Sequence, residues 1–157
     1  MRLIDIFEKA IKLGIKNDLR ADVDNKIVYA LSENPYPDSA VLYGDNEKII
    51  KNLFVCIDID VAEVLLVDQL IKKGYEIDGI LSHHPSGKGL YNITGVIGLQ
   101  KENWQRAGVK EVDANKLFEK IYWEESIDIK GNHNGPENAA EFLGIPLMCT
   151  HCLLYTS

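Results

Sequence analysis

One stretch near the middle of the chain limits the possible folds more than any other. Leu53-Phe54-Val55-Cys56-Ile57 is a continuous apolar run rich in strand formers, and it ends at Asp58. Val61 to Lys73 then has helical character and stops at Gly74, and Ile77 to Leu81 is a second apolar run broken by Ser82-His83-His84-Pro85. Strand, helix and strand in that order make a β-α-β unit, which favours parallel neighbours because the crossover carries the chain back to the same end of the sheet. The expected class is α/β, with a mixed or mostly parallel sheet flanked by helices.

The rest of the chain supplies the flanks. Leu3, Ile6, Phe7, Ala10, Ile11 and Ile15 recur at helical spacing, so residues 2 to 16 read as an amphipathic helix, with Gly14 weakening its last turn. Asn17 to Pro37 is polar and irregular, and Asn34-Pro35-Tyr36-Pro37-Asp38 reads as a turn or loop. Ala40 to Tyr43 is a short strand closed by Gly44-Asp45. Thr94 to Ala107 and Ala114 to Glu125 read as helices, with Gly108 ending the first. Pro136 to Leu143 is a further helix, with Pro136 in its first turn and Gly144 as its stop. Ile145 to Thr150 is a third buried strand, ending at His151.

With 157 residues, 46% of them hydrophobic, the chain is long enough for one domain with a core. Its net charge of −7 and the lack of any basic stripe argue against nucleic acid and leave small molecules or metal ions as partners. No apolar run is long enough for a membrane span, and Asp5, Glu8 and Lys9 do not suit a secretory leader. The 3 cysteines, Cys56, Cys149 and Cys152, are too few and too irregular for a disulfide framework or a zinc ribbon. A cytoplasmic location is expected.

The chain has 4 histidines, and they are not scattered. His83 and His84 directly follow one apolar strand, and His151 ends another. His133 lies in Gly131-Asn132-His133-Asn134-Gly135, just before a helix. In open α/β sheets ligands gather beyond the carboxyl ends of the strands, and imidazole suits zinc, iron, manganese and related ions. In an extended segment neighbouring side chains point to opposite sides, and Pro85 biases His84 toward extended geometry. The pair is therefore expected to diverge, serving two ions, or one ion and a partner that orients a ligand. The plainer alternative is that both histidines close the strand and hydrogen-bond to loop carbonyls.

Neighbouring polar residues carry alternatives of their own. Of Asp58 and Asp60, one is a candidate to orient a histidine, while Asp60 equally suits the cap of the helix that begins near Val61. Ser86-Gly87-Lys88-Gly89 is either an anion cradle, with Lys88 as a substrate contact, or a flexible rim loop. It lacks the Walker spacing. His133, with Asn132 and Asn134, is a second candidate to line a substrate pocket, whereas Asn134 alone suits a helix cap.

Ile80-Leu81-Ser82-His83-His84-Pro85 resembles the signature of the NGG-interacting factor three family, whose members are often described as GTP cyclohydrolase I type 2 homologues. Val55-Cys56-Ile57-Asp58-Ile59-Asp60 resembles that family's strand-plus-acidic segment. Asn132-His133-Asn134 and the segment from Ala139 to His151 are similar to a bacterial and archaeal branch of it. The likeness runs over residues 1 to 151. It implies a dinuclear site for divalent ions (zinc, iron, manganese or cobalt), hydrolysis of a nucleotide or phosphorylated small molecule, and ring-like homo-oligomers, commonly hexamers. A non-catalytic metal-binding or regulatory module is the alternative function. His83 and His84 match family metal ligands. His151 matches the histidine that opens a His-x-x-x-Asp segment, and it is counted here as a third candidate ligand. The ligand that the resemblance implies in that segment is its aspartate, where Tyr155 stands here, and a histidine and a glutamate nearer the carboxyl end complete the implied set.

Cys152-Leu153-Leu154-Tyr155-Thr156-Ser157 resembles the translated end of a sequencing adapter. The expectation is that residues 1–151 are the amino-terminal part of a single metal-binding α/β domain, cut before the fold is complete, and that 152–157 are not native. Such a chain is expected to expose apolar sheet surface and to be inactive by itself.

Overall fold

Four strands carry the architecture: β1 (Ala40–Tyr43), β2 (Leu53–Cys56), β3 (Gly79–Ser82) and β4 (Leu147–Cys149). They belong to a computed structural model that describes residues 1–17, 35–36, 38–91, 101, 103–128 and 133–151. The strands form one sheet in the order β1-β4-β3-β2. β2 pairs parallel with β3 and β3 parallel with β4, whereas β1 runs antiparallel to β4. The described helices include α1 (Leu3–Asn17), α2 (Val61–Lys72), α3 (Gly87–Tyr91), α4 (Glu111–Asp128) and α5 (Gly135–Leu143). The fold is thus α/β with a mixed sheet, as the β-α-β pattern requires. The segment 18–34, most of the helix expected over 94–107 and the tail 152–157 lie outside the described residues.

Alternation along the strands sorts the core into two layers, because successive side chains leave opposite faces of a sheet. Leu42, Ile80, Leu147 and Cys149 face α2 and α5, where Val64, Val67 and Ala140 complete a buried cluster. On the other face Met148, with Val41, Leu53 and Leu81, packs against Leu3, Ile6 and Phe7 of α1. The start of α1 is pinned there by main-chain bonds, Leu3 N to Lys48 O at 2.9 Å and Ile50 N to Met1 O at 2.8 Å. Among the described residues β2 is an edge strand, with Val55 63% and Ile57 59% exposed.

Element boundaries shift where specific chemistry intervenes. The strand expected from Ile77 begins only at Gly79, because Asp78 is used as a clasp. Its Oδ2 accepts the N–H groups of Lys51 and Asn52, both at 2.8 Å, and these bonds hold its carboxyl below the ordinary range. The strand expected from Ile145 begins at Leu147, since Pro146 has no N–H to give to a ladder. α4 starts earlier than Ala114, at Glu111, with Glu111 and Asp113 placed against the positive end of the helix dipole. α5 stops as expected: Gly144 takes a left-handed φ of 66° and its N–H returns to the last turn.

The segment Ser86-Gly87-Lys88-Gly89 is not the flexible rim loop of the two alternatives. Gly87 to Tyr91 winds into α3, which lies against β1. Both glycines are there for close approach. A methyl group at Gly89 would stand 2.9 Å from the carbonyl oxygen of Asp38 and 3.0 Å from Cys149 Sγ. Gly87 has a φ of +51°, a conformation that side chains strain to adopt, and a Cβ there would meet the Glu137 carboxylate.

Candidate metal centre

The register of the sheet brings one end of every strand to a common rim. Cys56, Ser82 and Cys149 are aligned across the parallel strands, so the residues that follow them emerge side by side. Those residues are Asp58, then His83 and His84, then His151. β1 runs the other way, with Ala40 opposite Cys149, so its beginning rather than its end lies at this rim. Asp38 and Ser39 join the site for that reason alone.

The main chain of the histidine pair is held firmly. His83 N donates to Cys56 O at 2.9 Å and His84 N to Ile57 O at 2.8 Å, so the segment stays attached to β2 beyond the strand. The Ser82 hydroxyl donates to the carbonyl of His84 at 3.0 Å. The backbone nevertheless bends at His83 and His84 rather than continuing extended. That bend overturns the expectation of diverging side chains. The two rings stand 5.0 Å apart between centroids, and the His151 ring lies 5.2 Å from His83 and 6.0 Å from His84. One nitrogen from each of His83, His84 and His151 lies within 4.8 Å of the others.

Two carboxylates hold two of these rings. His84 Nδ1 donates to Asp58 Oδ1 at 2.6 Å, and His151 Nδ1 donates to Asp38 Oδ2 at 2.6 Å. An imidazole whose Nδ1 carries the proton keeps its lone pair on Nε2, the tautomer a metal ligand needs. The environments of the pairs differ sharply. Asp38 and His151 have side chains 2% and 17% exposed, Asp58 and His84 83% and 50%. The His151 main chain is tied as well, its N–H donating to the Ser39 hydroxyl at 3.0 Å.

His83 is half-buried. Burial first, and then the neighbouring rings of His151 and His84, pull its pKa below the ordinary imidazole value of 6.5. Its neutral, ligating form therefore persists at lower pH than a free histidine would allow. The same shift makes a prediction for stability. Below about pH 6.5 the unfolded chain takes up a proton at this position before the folded chain does, so acidification through that range weakens the fold. Urea midpoints of the metal-free protein should fall between pH 7.5 and 5.5, and His83→Gln should flatten that dependence. An identical pH slope in the variant would contradict the assignment.

The remaining expected residues fall around this cluster. Asp60 is the helix cap of the alternatives: its side chain accepts from Val61 N, and Glu63 reaches back to Asp60 N at 2.7 Å, a capping box for α2. Asp58 is the aspartate that touches a histidine. His133 presents its carbonyl to Gly87 N at 2.9 Å and to the Ser86 hydroxyl at 3.4 Å. With Pro85, Ser86, Asp60 and Pro136 it lines a small cavity of about 150 Å³. Asn134 occupies the N-cap of α5, and Asn132 lies outside the described residues. Lys88 is exposed and lines a different cavity of about 520 Å³, between Ile4, Phe7, Tyr43 and Asn46, with none of the three imidazoles in its wall. The thiols of Cys56 and Cys149 are poor nucleophiles. Burial, then Glu63 and Asp58, pushes Cys56 up to about 11, and burial raises Cys149. Among the described residues, no helix is long and apolar enough to cross a membrane.

Asp38 is the functional candidate that the linear sequence hides. It follows a proline-rich turn and reads as part of it. It becomes a histidine partner only because β1 is antiparallel to β4.

No protein-family model matches the chain, and no curated protein matches it. Among solved structures it is similar to a NIF3 superfamily protein from Sphaerobacter thermophilus, with a TM-score of 0.67 and 23% identity. The match covers 93% of this chain and 47% of the other, so the chain spans about half the length of that protein. NIF3 abbreviates the family name that the His-His-Pro segment suggested. The chain therefore has a NIF3-like fold over nearly its whole length, with His83, His84 and His151 gathered at one rim of its sheet.

Proposed function

We propose that this chain forms the ion-binding half of a metal-dependent hydrolase, with His83, His84 and His151 as ligands. The observation that carries the reading is the convergence of three imidazole nitrogens within 4.8 Å, two of them on rings oriented by carboxylates. Nitrogens bound to one zinc-like ion at about 2.1 Å stand about 3.4 Å from one another. Three imidazoles with a fourth position left open are the donor pattern of a catalytic rather than a structural site. A second ion, as the family resemblance implies, needs donors beyond these three.

A bound divalent ion would supply Lewis acidity, lowering the pKa of water and polarising a phosphoryl or carbonyl oxygen. The chain's own residues do the holding. Asp38 and Asp58 keep the Nδ1 protons of two rings, and the bend at His83 and His84 aims both side chains inward. The proposed substrate contacts are His133 and, from a separate cavity, Lys88. His133 is the better supported, since its cavity adjoins Pro85 and Ser86 directly after the ligands. The proposed substrate class is a nucleotide or other phosphorylated small molecule, and homo-oligomeric assembly belongs to the same reading.

The test is elemental analysis of the protein purified without chelators, followed by assays with nucleotides and simple phosphoesters in the presence of zinc, iron, manganese or cobalt. Metal that co-purifies with the chain is expected, and turnover abolished by His84→Ala is expected of the longer protein that supplies the remaining donors. Tight metal without turnover would move the assignment to a binding or regulatory module. Absence of metal would remove it altogether.

A further inference from the structure

The two carboxylate–imidazole pairs are alike in length but not in setting. Asp38 is 1% exposed, and three independent attachments immobilise its surroundings. Ser39 N donates to Tyr36 O at 3.0 Å, the Ser39 hydroxyl accepts from His151 N, and the Asp38 carbonyl accepts the Cys149 thiol at 3.5 Å. Gly89 of α3 closes over the same carbonyl with no room for a methyl group. Asp58, by contrast, follows an edge strand with its side chain 83% exposed. A hydrogen bond to a buried carboxylate keeps its strength, while an exposed one competes with water and is screened.

We infer that Asp38 is a positioning residue: it holds His151 in the Nδ1–H tautomer with Nε2 toward the shared site, and so makes His151 a fixed ligand. Through the exposed Asp58, His84 is the more exchangeable of the two carboxylate-held imidazoles. The inference about affinity rests on the proposed metal centre, but the tautomer does not, since the hydrogen bond exists without an ion.

Two readouts on the full chain separate these levels. Long-range ¹⁵N–¹H correlation spectra of the metal-free protein report the tautomer of each imidazole. The expected result is a His151 ring with protonated Nδ1, which Asp38→Asn converts to a mixture, while the His84 tautomer changes little in that variant. Zinc titration by chelator competition reports affinity, with an expected loss of roughly 10- to 100-fold for Asp38→Asn and a smaller loss for Asp58→Asn. Thermal melts confirm that each variant folds. Should Asp38→Asn unfold the chain, the His151 tautomer read in the unsubstituted protein decides the inference. A His151 ring protonated at Nε2 in the unsubstituted protein would overturn the inference, as would equal zinc affinity in the folded Asp38→Asn variant. A fixed Nδ1–H tautomer in a protein that binds no zinc would instead retain the positioning role and remove the metal centre.

Discussion

Replacing Ile80 by alanine is expected to destabilise the fold by about 3 kcal/mol, the size of effect measured when a fully buried isoleucine is truncated and its cavity only partly collapses. Ile80 is 0% exposed, sits in one of the two central strands, and packs among Val64, Val67, Ala140 and Leu147. Both helices of that layer touch the cluster, so the missing atoms have no easy replacement. Domains of this kind hold together by about 5–15 kcal/mol, so the loss is a large fraction of the total. Urea unfolding should show a lower midpoint with an unchanged slope. The effect also reaches the site, because β3 aims His83 and His84. A shift below about 1 kcal/mol would mean that Ile80 is not enclosed by the two helices.

His83→Ala is expected to cost more in metal affinity than any other single change, at least ~100-fold, since even residues that merely orient a ligand cost 10- to 100-fold. Its ring lies nearer to both other imidazoles than they lie to each other, with centroids at 5.0 and 5.2 Å against 6.0 Å. Removing it leaves the two histidines that are farthest apart. Its own fold contribution runs the opposite way at low pH, because the half-buried neutral ring resists protonation. The alanine variant should therefore bind zinc poorly in chelator competition while losing less stability than the parent on acidification. Zinc affinity within a few-fold of the parent would remove His83 from the ligand set.

The apolar surface left at the edge of the sheet has a simple origin. Among the described residues β2 has a neighbour on one side only, and α1 packs on Val41, Met148, Leu81 and Leu53 but leaves Val55 open. Burial of an apolar run cannot be read from the run itself. Leu53-Phe54-Val55-Cys56 looks as continuous as Gly79-Ile80-Leu81-Ser82, yet one is an edge and the other is central.

Much of the architecture follows from local pattern. The β-α-β unit, the amphipathic α1, the helix ended by Gly144 and the strand that delivers His151 all rest on periodicities and breakers within a few residues of one another. Those signals also place three histidines at strand ends, which is why the site could be proposed from the chain alone. Other features depend on contacts that no local window contains. The bend that turns His83 and His84 toward the same point depends on their main-chain bonds to Cys56 and Ile57 across the sheet. The role of the 86–89 segment depends on how closely α3 approaches β1 and Asp38. The bond between Asp38 and His151 spans 113 residues. An antiparallel partner brings its beginning, not its end, to a rim of parallel strands, and the direction and order of strands are decided by packing over the whole sheet rather than by the residues of any one strand.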